Sequence, residues 1–496
     1  MSAAASSQHH QQPSQQQQSG DSVGSCSWEG VAELSATPTT PSLLYNNLTE
    51  SRGLLAYCSG SHVSVVHITH SATITEDAEC FVQGEQATLV ASAELKHHRD
   101  AFATTALIVR PPKEASARPA AALVVATTAT VDFFQLPEAG KTVVNAPLVH
   151  TTNLTETPVN PLARIMSRGL ATLPSKTPEV TVLTGTATGV IMMHTIQFRP
   201  LADGNKEGEA AASAPFSVIA GPSMQTPCCS ITCIAVPSPA QQKNSSMIRW
   251  LCADDDGCIC VYERPANPVT VPPASSGTPA EAAEGAEDAE HVSVSAAPST
   301  CSALGWDRVG LFAGNGVPCT GAGFLPDPRS TSTTPDYVVA AYASGHVRLL
   351  SLVTNSIVAE IAAHSRSITA LAVHPQLPYV VSVAEDSWVR AWALWHSVSN
   401  PSAPNSAHHG RMGSSQSSEG LSALGDPASS RMQKFDITQQ WSAFMPFFMW
   451  TGVSIVPRTT GNNISHDISV VAYDLGALFT FHAKPVSFAI PSKIAP

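Results

Sequence analysis

Residues 364–392, AHSRSITALAVHPQLPYVVSVAEDSWVRAW with its preceding alanine, carry apolar positions in three short runs separated by turn-forming residues. Ile368, Ala370 and Ala372 repeat at period two before His374-Pro375. Tyr379-Val380-Val381-Ser382 follows and leads into Glu385-Asp386-Ser387, and a third run ends at Trp392. Apolar runs of this length, alternating and bounded by polar turns, predict antiparallel β-strands. The central part, an apolar strand, a tight turn and an alternating strand, recurs along the chain. It is present at Leu55-Ala56-Tyr57-Cys58-Ser59-Gly60, at 124–131, at 183–191, at 250–262, at 337–350 and at 470–478, making seven copies with 364–392. One such unit cannot bury both faces of its sheet, so the recurrence predicts a stacked array with an all-β core.

The 364–392 unit resembles a WD repeat, the building block of a β-propeller blade. The resemblance implies a hydrogen-bonded tetrad across the blade made by His364, Ser382, Asp386 and Trp392. The other copies are degenerate: Cys252 stands for the Ser, and Leu350 and His194 stand for the Trp. The expected fold is a single seven-bladed WD40-type β-propeller over residues 41–490, with a tail at 491–496.

Length agrees with that expectation only if long insertions are present. Seven repeats of roughly 45 residues use about 315 positions, and the chain has 496. Residues 1–40, rich in Gln, Ser and His, read as a disordered tail, and 200–222, 264–300 and 397–432 read as disordered insertions. The 264–300 stretch holds Glu281, Glu284, Glu287, Asp288 and Glu290. It reads first as a solvated spacer and secondarily as a docking tail for a basic partner.

The balance of 26 basic and 38 acidic residues, net −12, disfavours a general nucleic-acid binder. The opening residues lack the basic flank and apolar segment of a secretion signal, and no apolar run is long enough to span a bilayer. A cytoplasmic protein without integral membrane association is expected. The apolar stretch 444–450, FMPFFMW, reads as strand packing before the last blade, with a membrane-surface anchor or an exposed partner patch as the lesser readings.

Candidate chemistry changes this picture little. Cys228, Cys229, Cys233, Cys252, Cys258 and Cys260 cluster in sequence but lack two CxxC knuckles, so they read as core packing before zinc or redox sensing. No GxSxG, HExxH, GxGxxG or phosphate loop ending in Lys-Ser/Thr is present. His364 beside Asp386 could pass for a base, but its place in the repeat makes it structural. No catalytic residue, metal site or cofactor is expected, and the protein is read as a non-enzyme.

Several segments together resemble the WD-repeat-containing protein 54 family. They include Leu44-Tyr45-Asn46-Asn47-Leu48, Ala253-Asp254-Asp255-Asp256-Gly257, Gly316-Val317-Pro318-Cys319, Ala363-His364-Ser365-Arg366-Ser367-Ile368, Ala384-Glu385-Asp386 and Ala472-Tyr473-Asp474-Leu475. The resemblance implies a propeller scaffold for protein–protein interactions, in a ciliary, flagellar or vesicle-associated setting. The alternative is a reader of a peptide motif or modification, acting through the central channel. Rigid strands holding variable loops suit partner binding. The top-face candidates are Arg366, Glu385, Trp388, Asp255, His346 and Tyr342, with Trp388 and Tyr342 as aromatic anchors. Ordinary exposure or packing between blades is the plainer reading of each. Two closures of the ring are open: residues 484–490 as the outer strand of the last blade, or the segment near 42–45 as a clasp. Both expect truncation to residue 35 to be tolerated.

Overall fold

A computed structural model describes residues 32–68, 81–83, 87–95, 102–112, 121–138, 140–154, 169–199, 214–242, 245–266, 304–328, 330, 332, 334–397, 434–460 and 463–483. Strand β1 (Ala32–Ala36) comes first. Blade 1 holds β2 (Thr49–Ser51), β3 (Leu54–Ser59) and β4 (His62–His67); β5 (Phe81–Gln83) follows, and β6 (Thr88–Glu94) completes the blade. Blade 2 is β7 (Ala103–Val109), β8 (Ala121–Thr127), β9 (Thr130–Leu136) and β10 (Leu148–Asn153). Blade 3 is β11 (Leu170–Thr172), β12 (Glu179–Gly185), β13 (Val190–Phe198) and β14 (Phe216–Gln225). Blade 4 is β15 (Ile231–Ala235), β16 (Met247–Asp254), β17 (Ile259–Pro265) and β18 (Asp307–Phe312), with the short helix α1 (Pro239–Gln242) after β15. Blade 5 is β19 (Cys319–Leu325), β20 (Tyr337–Tyr342), β21 (His346–Ser351) and β22 (Ser356–Ala362). Blade 6 is β23 (Ile368–Val373), β24 (Tyr379–Ala384), β25 (Trp388–Ser397) and β26 (Lys434–Phe444). Blade 7 starts with β27 (Trp450–Thr460), β28 (Asn463–Ala472) and β29 (Ala477–Ala483).

The fold is a seven-bladed β-propeller, and the seven sequence copies are its seven blades. Within each blade the successive strands are antiparallel. The apolar runs are central strands covered on both faces: β8, β20 and β24 are buried at every position. The hydrophobic core is divided among the seams between neighbouring blades. One seam joins blades 6 and 7, with Trp441, Trp450 and Phe481; another joins blades 7 and 1, with Tyr57, Val471 and Leu478. Each blade therefore depends on both neighbours for dry contacts, so the ring gains stability by closing.

The turns between the second and third strands need glycine for a steric reason. Gly345 has φ +83°, and a Cβ there would collide with the His364 carbonyl of the next connection. Gly189 and Gly257 stand in the same place in blades 3 and 4, with φ +76° and +84°. Close approach of one blade's turn to the next blade's entry loop is thus written into the sequence at these positions.

Two sequence expectations are corrected. The segment near 42–45 is not the clasp: β1 pairs antiparallel with β29, from Ala32 opposite Phe481 to Ala36 opposite Ala477. The clasp is therefore residues 32–36, inside the segment read as tail, while 484–490 lie outside the described residues. β5 adds to β1 in parallel, so blade 7 has five strands. Tolerance of truncation to residue 35 no longer follows. The polar stretch 200–222 is also not all loop, because β14 begins at Phe216 and pairs with β13. An outermost strand faces water at several positions, 219–223 here, so its composition resembles a loop.

Candidate protein-interaction face

In blade 6 the four tetrad side chains are joined. His364 Nδ1 lies 3.0 Å from Asp386 Oδ1, and His364 Nε2 lies 2.9 Å from Ser382 Oγ. Trp392 Nε1 donates to Ser382 Oγ at 3.3 Å. A proton on Nδ1 satisfies the whole chain: tryptophan donates to serine, serine to histidine and histidine to aspartate. Asp386 also accepts the amides of Ser365 and Trp388, tying the blade's entry loop to its β24–β25 turn. Burial raises the Asp386 pKa, but the hydrogen bond and charge of His364 and these amides outweigh it and bring it down to about 2. The His364 and Asp386 side chains are 0% and 6% exposed, so the pair cannot meet a substrate. It braces the loops of the face above it. Asp386→Ala is expected to destabilise the protein by on the order of 1–3 kcal/mol through unpaired buried donors. A thermal melt checks this, and an unchanged midpoint would count against a structural tetrad.

Above this brace lies a continuous rim. Strand alternation brings the turns after each second strand and the connections between blades to one face. Main-chain bonds link them here: Glu385 N to Ser367 O, Met445 N to Ser387 O, and Tyr473 N to Met449 O. The Trp388 ring packs on Phe444 at 4.9 Å, with the Arg390 guanidinium 4.9 Å from the Trp388 ring centre. Phe447, in the connection between blades 6 and 7, is 99% exposed, with Phe444 at 53% and Tyr473 at 47%. Phe447 also has φ +74°, an uncommon conformation for an aromatic residue, which the tight 445–448 turn imposes. The stretch 444–450 thus divides its work: Met445 and Trp450 bury in the seam, and Phe444 and Phe447 face water. The strand-packing reading of the whole stretch is corrected accordingly.

The sequence candidates separate into groups. Arg366 is exposed and Glu385 and Trp388 half-buried, and all three lie on the blade 5–6–7 side of this face. Asp255 is in the β16–β17 turn of blade 4, where burial raises its pKa, and His346 follows the β20–β21 turn of blade 5 and lies close to Ser344. Both are away from the aromatic rim. Tyr342 is 3% exposed, packed in the seam of blades 4 and 5 beneath the Arg348 guanidinium, so it is not a surface anchor. The alternation that makes a strand-end Tyr look available cannot tell a seam from a surface. Phe444 and Phe447 belong to the aromatic run for which an exposed patch was the lesser reading, and Tyr473, in the β28–β29 turn, was missed.

The central channel is narrowed by the chain's own entry segment. Asn46 N donates to Thr369 O and Asn47 N to Thr451 O, and the Asn46 side chain meets the main chain of Thr320 and Leu371. Asn47 exchanges side-chain bonds with Cys58 of blade 1. The remaining cavity is about 190 Å³ and is lined by first-strand residues such as Thr105, Leu170, Thr232, Gly321, Leu371 and Val453. Among the described residues its lining has no carboxylate and no aromatic ring.

No protein-family model matches the sequence. Two curated proteins match one stretch of it. WD repeat domain 54 of Rattus norvegicus is 36% identical over 83 residues, 17% of this chain and 22% of that protein. WD repeat-containing protein 54 of Mus musculus is 36% identical over 81 residues, 16% and 22% respectively. Over that stretch the chain resembles WD repeat-containing protein 54. The match spans about a fifth of the length of either relative. Among solved structures, Raptor from Chaetomium thermophilum aligns with TM-score 0.49 and 8% identity, covering 91% of this chain and 28% of that one. A chain of a mitotic checkpoint complex aligns with TM-score 0.44 and 9% identity, covering 97% and 99%. Neither bears on what this chain binds. Among the described residues, no helix is long and apolar enough to cross a membrane.

Proposed function

We propose that this protein is a non-enzymatic propeller scaffold that holds other proteins on the rim formed by blades 6 and 7. The carrying observation is the three exposed aromatics of this rim, Phe447, Phe444 and Tyr473, with Phe444 packed on Trp388 and Trp388 on Arg390. Aromatic and arginine side chains dominate binding energy at protein interfaces. A wholly exposed Phe on a tight turn is costly in water, and the cost is relieved when a partner covers it. The preferred partner is a protein segment with an apolar anchor and mixed charge, since Arg366 and Glu385 lie beside the rim. A cytoplasmic, ciliary, flagellar or vesicle-associated assembly is the setting that the family resemblance supports. Nucleic acid is disfavoured by the net charge of −12.

Phe447→Ser is expected to reduce partner retention at least about tenfold, as loss of an interface anchor does. Its melting temperature should match wild type, because the replaced ring makes no buried contact. Val353→Ser, in the β21–β22 turn at the opposite face and 67% exposed, is the control. Quantitative affinity purification from native cells reads the result. Equal partner sets for both variants would sink the rim reading. Loss of partners only when 264–300 or 397–432 are deleted would move function to the insertions.

A further inference from the structure

Blade 4 replaces the polar tetrad with sulfur. In blade 6, Ser382 pairs in register with Arg390, and His364 reaches Ser382 from the entry loop. In blade 4 the corresponding strand position is Cys252, paired in register with Cys260, and Cys228 reaches it from the entry loop at 3.7 Å between sulfurs. Cys258 directly precedes the following strand and Cys260 lies within it, two positions on. The Cys228 and Cys260 sulfurs are 3.8 Å apart, and those of Cys258 and Cys260 are 4.0 Å apart. Cys228, Cys258 and Cys260 all present their sulfurs within 4.8 Å of one another.

These separations are well beyond the roughly 2.05 Å of a disulfide. They match the edge of a tetrahedron of thiolates around zinc, about 3.8 Å for Zn–S bonds of about 2.3 Å. Core packing alone gives a different arrangement in the adjoining seam. There Cys233 and Cys319 are equally buried, but each sulfur turns to a main-chain carbonyl, that of Ala322 or Gly321. Cys228, Cys258 and Cys260 turn their sulfurs to one another, and Cys252 turns its sulfur to Cys228.

A supporting shell is already built. The Asp254 carboxylate accepts the amides of Cys229, Asp256 and Cys258. It therefore fixes the main chain next to Cys228 and at Cys258, the two loop ligands, before any ion arrives. Trp250, Tyr262 and Trp306 close the inner side, and half-buried Cys258 faces the rim. The neighbouring Asp255 and exposed Asp256 favour approach of a cation from that side.

We propose that Cys228, Cys258 and Cys260 bind one Zn²⁺ ion that pins the connection between blades 3 and 4, with Cys252 turning in from its place beside Cys228 as the fourth ligand. Binding forms four zinc–sulfur bonds and releases the four thiol protons to solvent, so affinity falls as pH is lowered. The ion is structural: with four thiolates it keeps no open position.

The test uses the full-length, untagged, reduced protein. Zinc content is measured by mass spectrometry after purification, and the chelated protein is titrated with Co²⁺ under argon. The expected result is one equivalent of Co²⁺ with intense thiolate-to-cobalt charge-transfer absorption, displaced by one equivalent of Zn²⁺. Cys258→Ser and Cys260→Ser should each weaken Zn²⁺ binding at least tenfold, and Cys58→Ser, at a lone buried thiol of blade 1, should leave it unchanged. Because Cys260 is buried, Cys258→Ser at the rim is the variant that separates loss of binding from loss of fold. Absence of the charge-transfer band in the wild type would overturn the proposal, as would its persistence in Cys258→Ser. Cobalt bound without that band marks histidine ligands elsewhere and also counts against it, as does a disulfide within the cluster or selective binding of Cu⁺ over Zn²⁺.

Discussion

Removing residues 1–36 is expected to open the ring, whereas removing 1–31 leaves it closed. The five residues of β1 are the fourth strand of blade 7, between β29 and β5, and reach it from the far end of the chain, with Ala32 opposite Phe481. Ser35 is fully buried, and Leu34 packs against the blade 6–7 core. Thr37 N donates to Gly476 O, and Ala87 N to Ala36 O, so the clasp is bonded to blade 7 on one side and to the blade 1 region on the other. Net contributions of roughly 1 kcal/mol per hydrogen bond put the strand at on the order of 5 kcal/mol. That is comparable to the whole stability of an ordinary domain. The loss also exposes the edge of β29, which invites pairing with another chain. The expected observation is a melting temperature lower by about 10 °C or more, with aggregation, for the chain starting at residue 37. Added peptide covering 31–40 should restore part of the loss. Identical melting of the chains starting at 32 and 37 would show that the clasp is dispensable.

The second large effect is loss of stability in mild acid. His194, His374 and His466 are 0%, 0% and 1% exposed. Burial, aided by His150, lowers His194 to about 4. Burial, aided by His466, lowers His374 to about 3, and burial lowers His466 to about 4 against the opposing charge of Asp467. The His374 and His466 rings are 5.3 Å apart, and His374 Nδ1 accepts the amides of Gln376 and Leu377, bonds that a proton there would break. In the unfolded chain each ring titrates near 6.5. The unfolded state therefore binds more protons below that pH. The stabilisation is complete above about 6.5 and is lost as pH falls toward 4 and then 3. At about pH 5 each buried histidine contributes a loss of about 2 kcal/mol. Asp386, depressed to about 2, does not contribute in this window, since its stabilisation is lost only below the ordinary carboxylate range. Urea midpoints at pH 7.5, 6 and 5 should fall steeply, and His374→Gln should flatten the slope. A midpoint independent of pH across that interval would refute it.

Much of the architecture was legible from local pattern. The apolar second strands, the turn glycines at 189, 257 and 345, and the His364–Ser382–Asp386–Trp392 set all lie within short segments, where sequence spacing and spatial spacing coincide. The outer strands were harder. β14 is half solvent-facing and reads as loop, and β1 is five residues, AELSA, inside a polar stretch. The candidate face was partly legible. Trp388, Arg366 and Glu385 follow from the repeat, but Tyr342 was misplaced because its neighbour blade covers it. Phe447 was misread because six of the seven residues of the 444–450 stretch, itself included, are large and apolar and suggest burial.

The sequence by itself determined the repeat, its number, the all-β class and the blade that keeps its tetrad. These depend on interactions between residues a few tens of positions apart. Only the tertiary structure decided which segment closes the ring, what narrows the channel, which aromatics face water, and that Cys228, Cys258 and Cys260 turn their sulfurs together. Those outcomes depend on contacts between blades and between the two ends of the chain, such as Asn46 with Thr369 and Ala32 with Phe481. A period along one strand carries no information about which distant surface will come to lie against it.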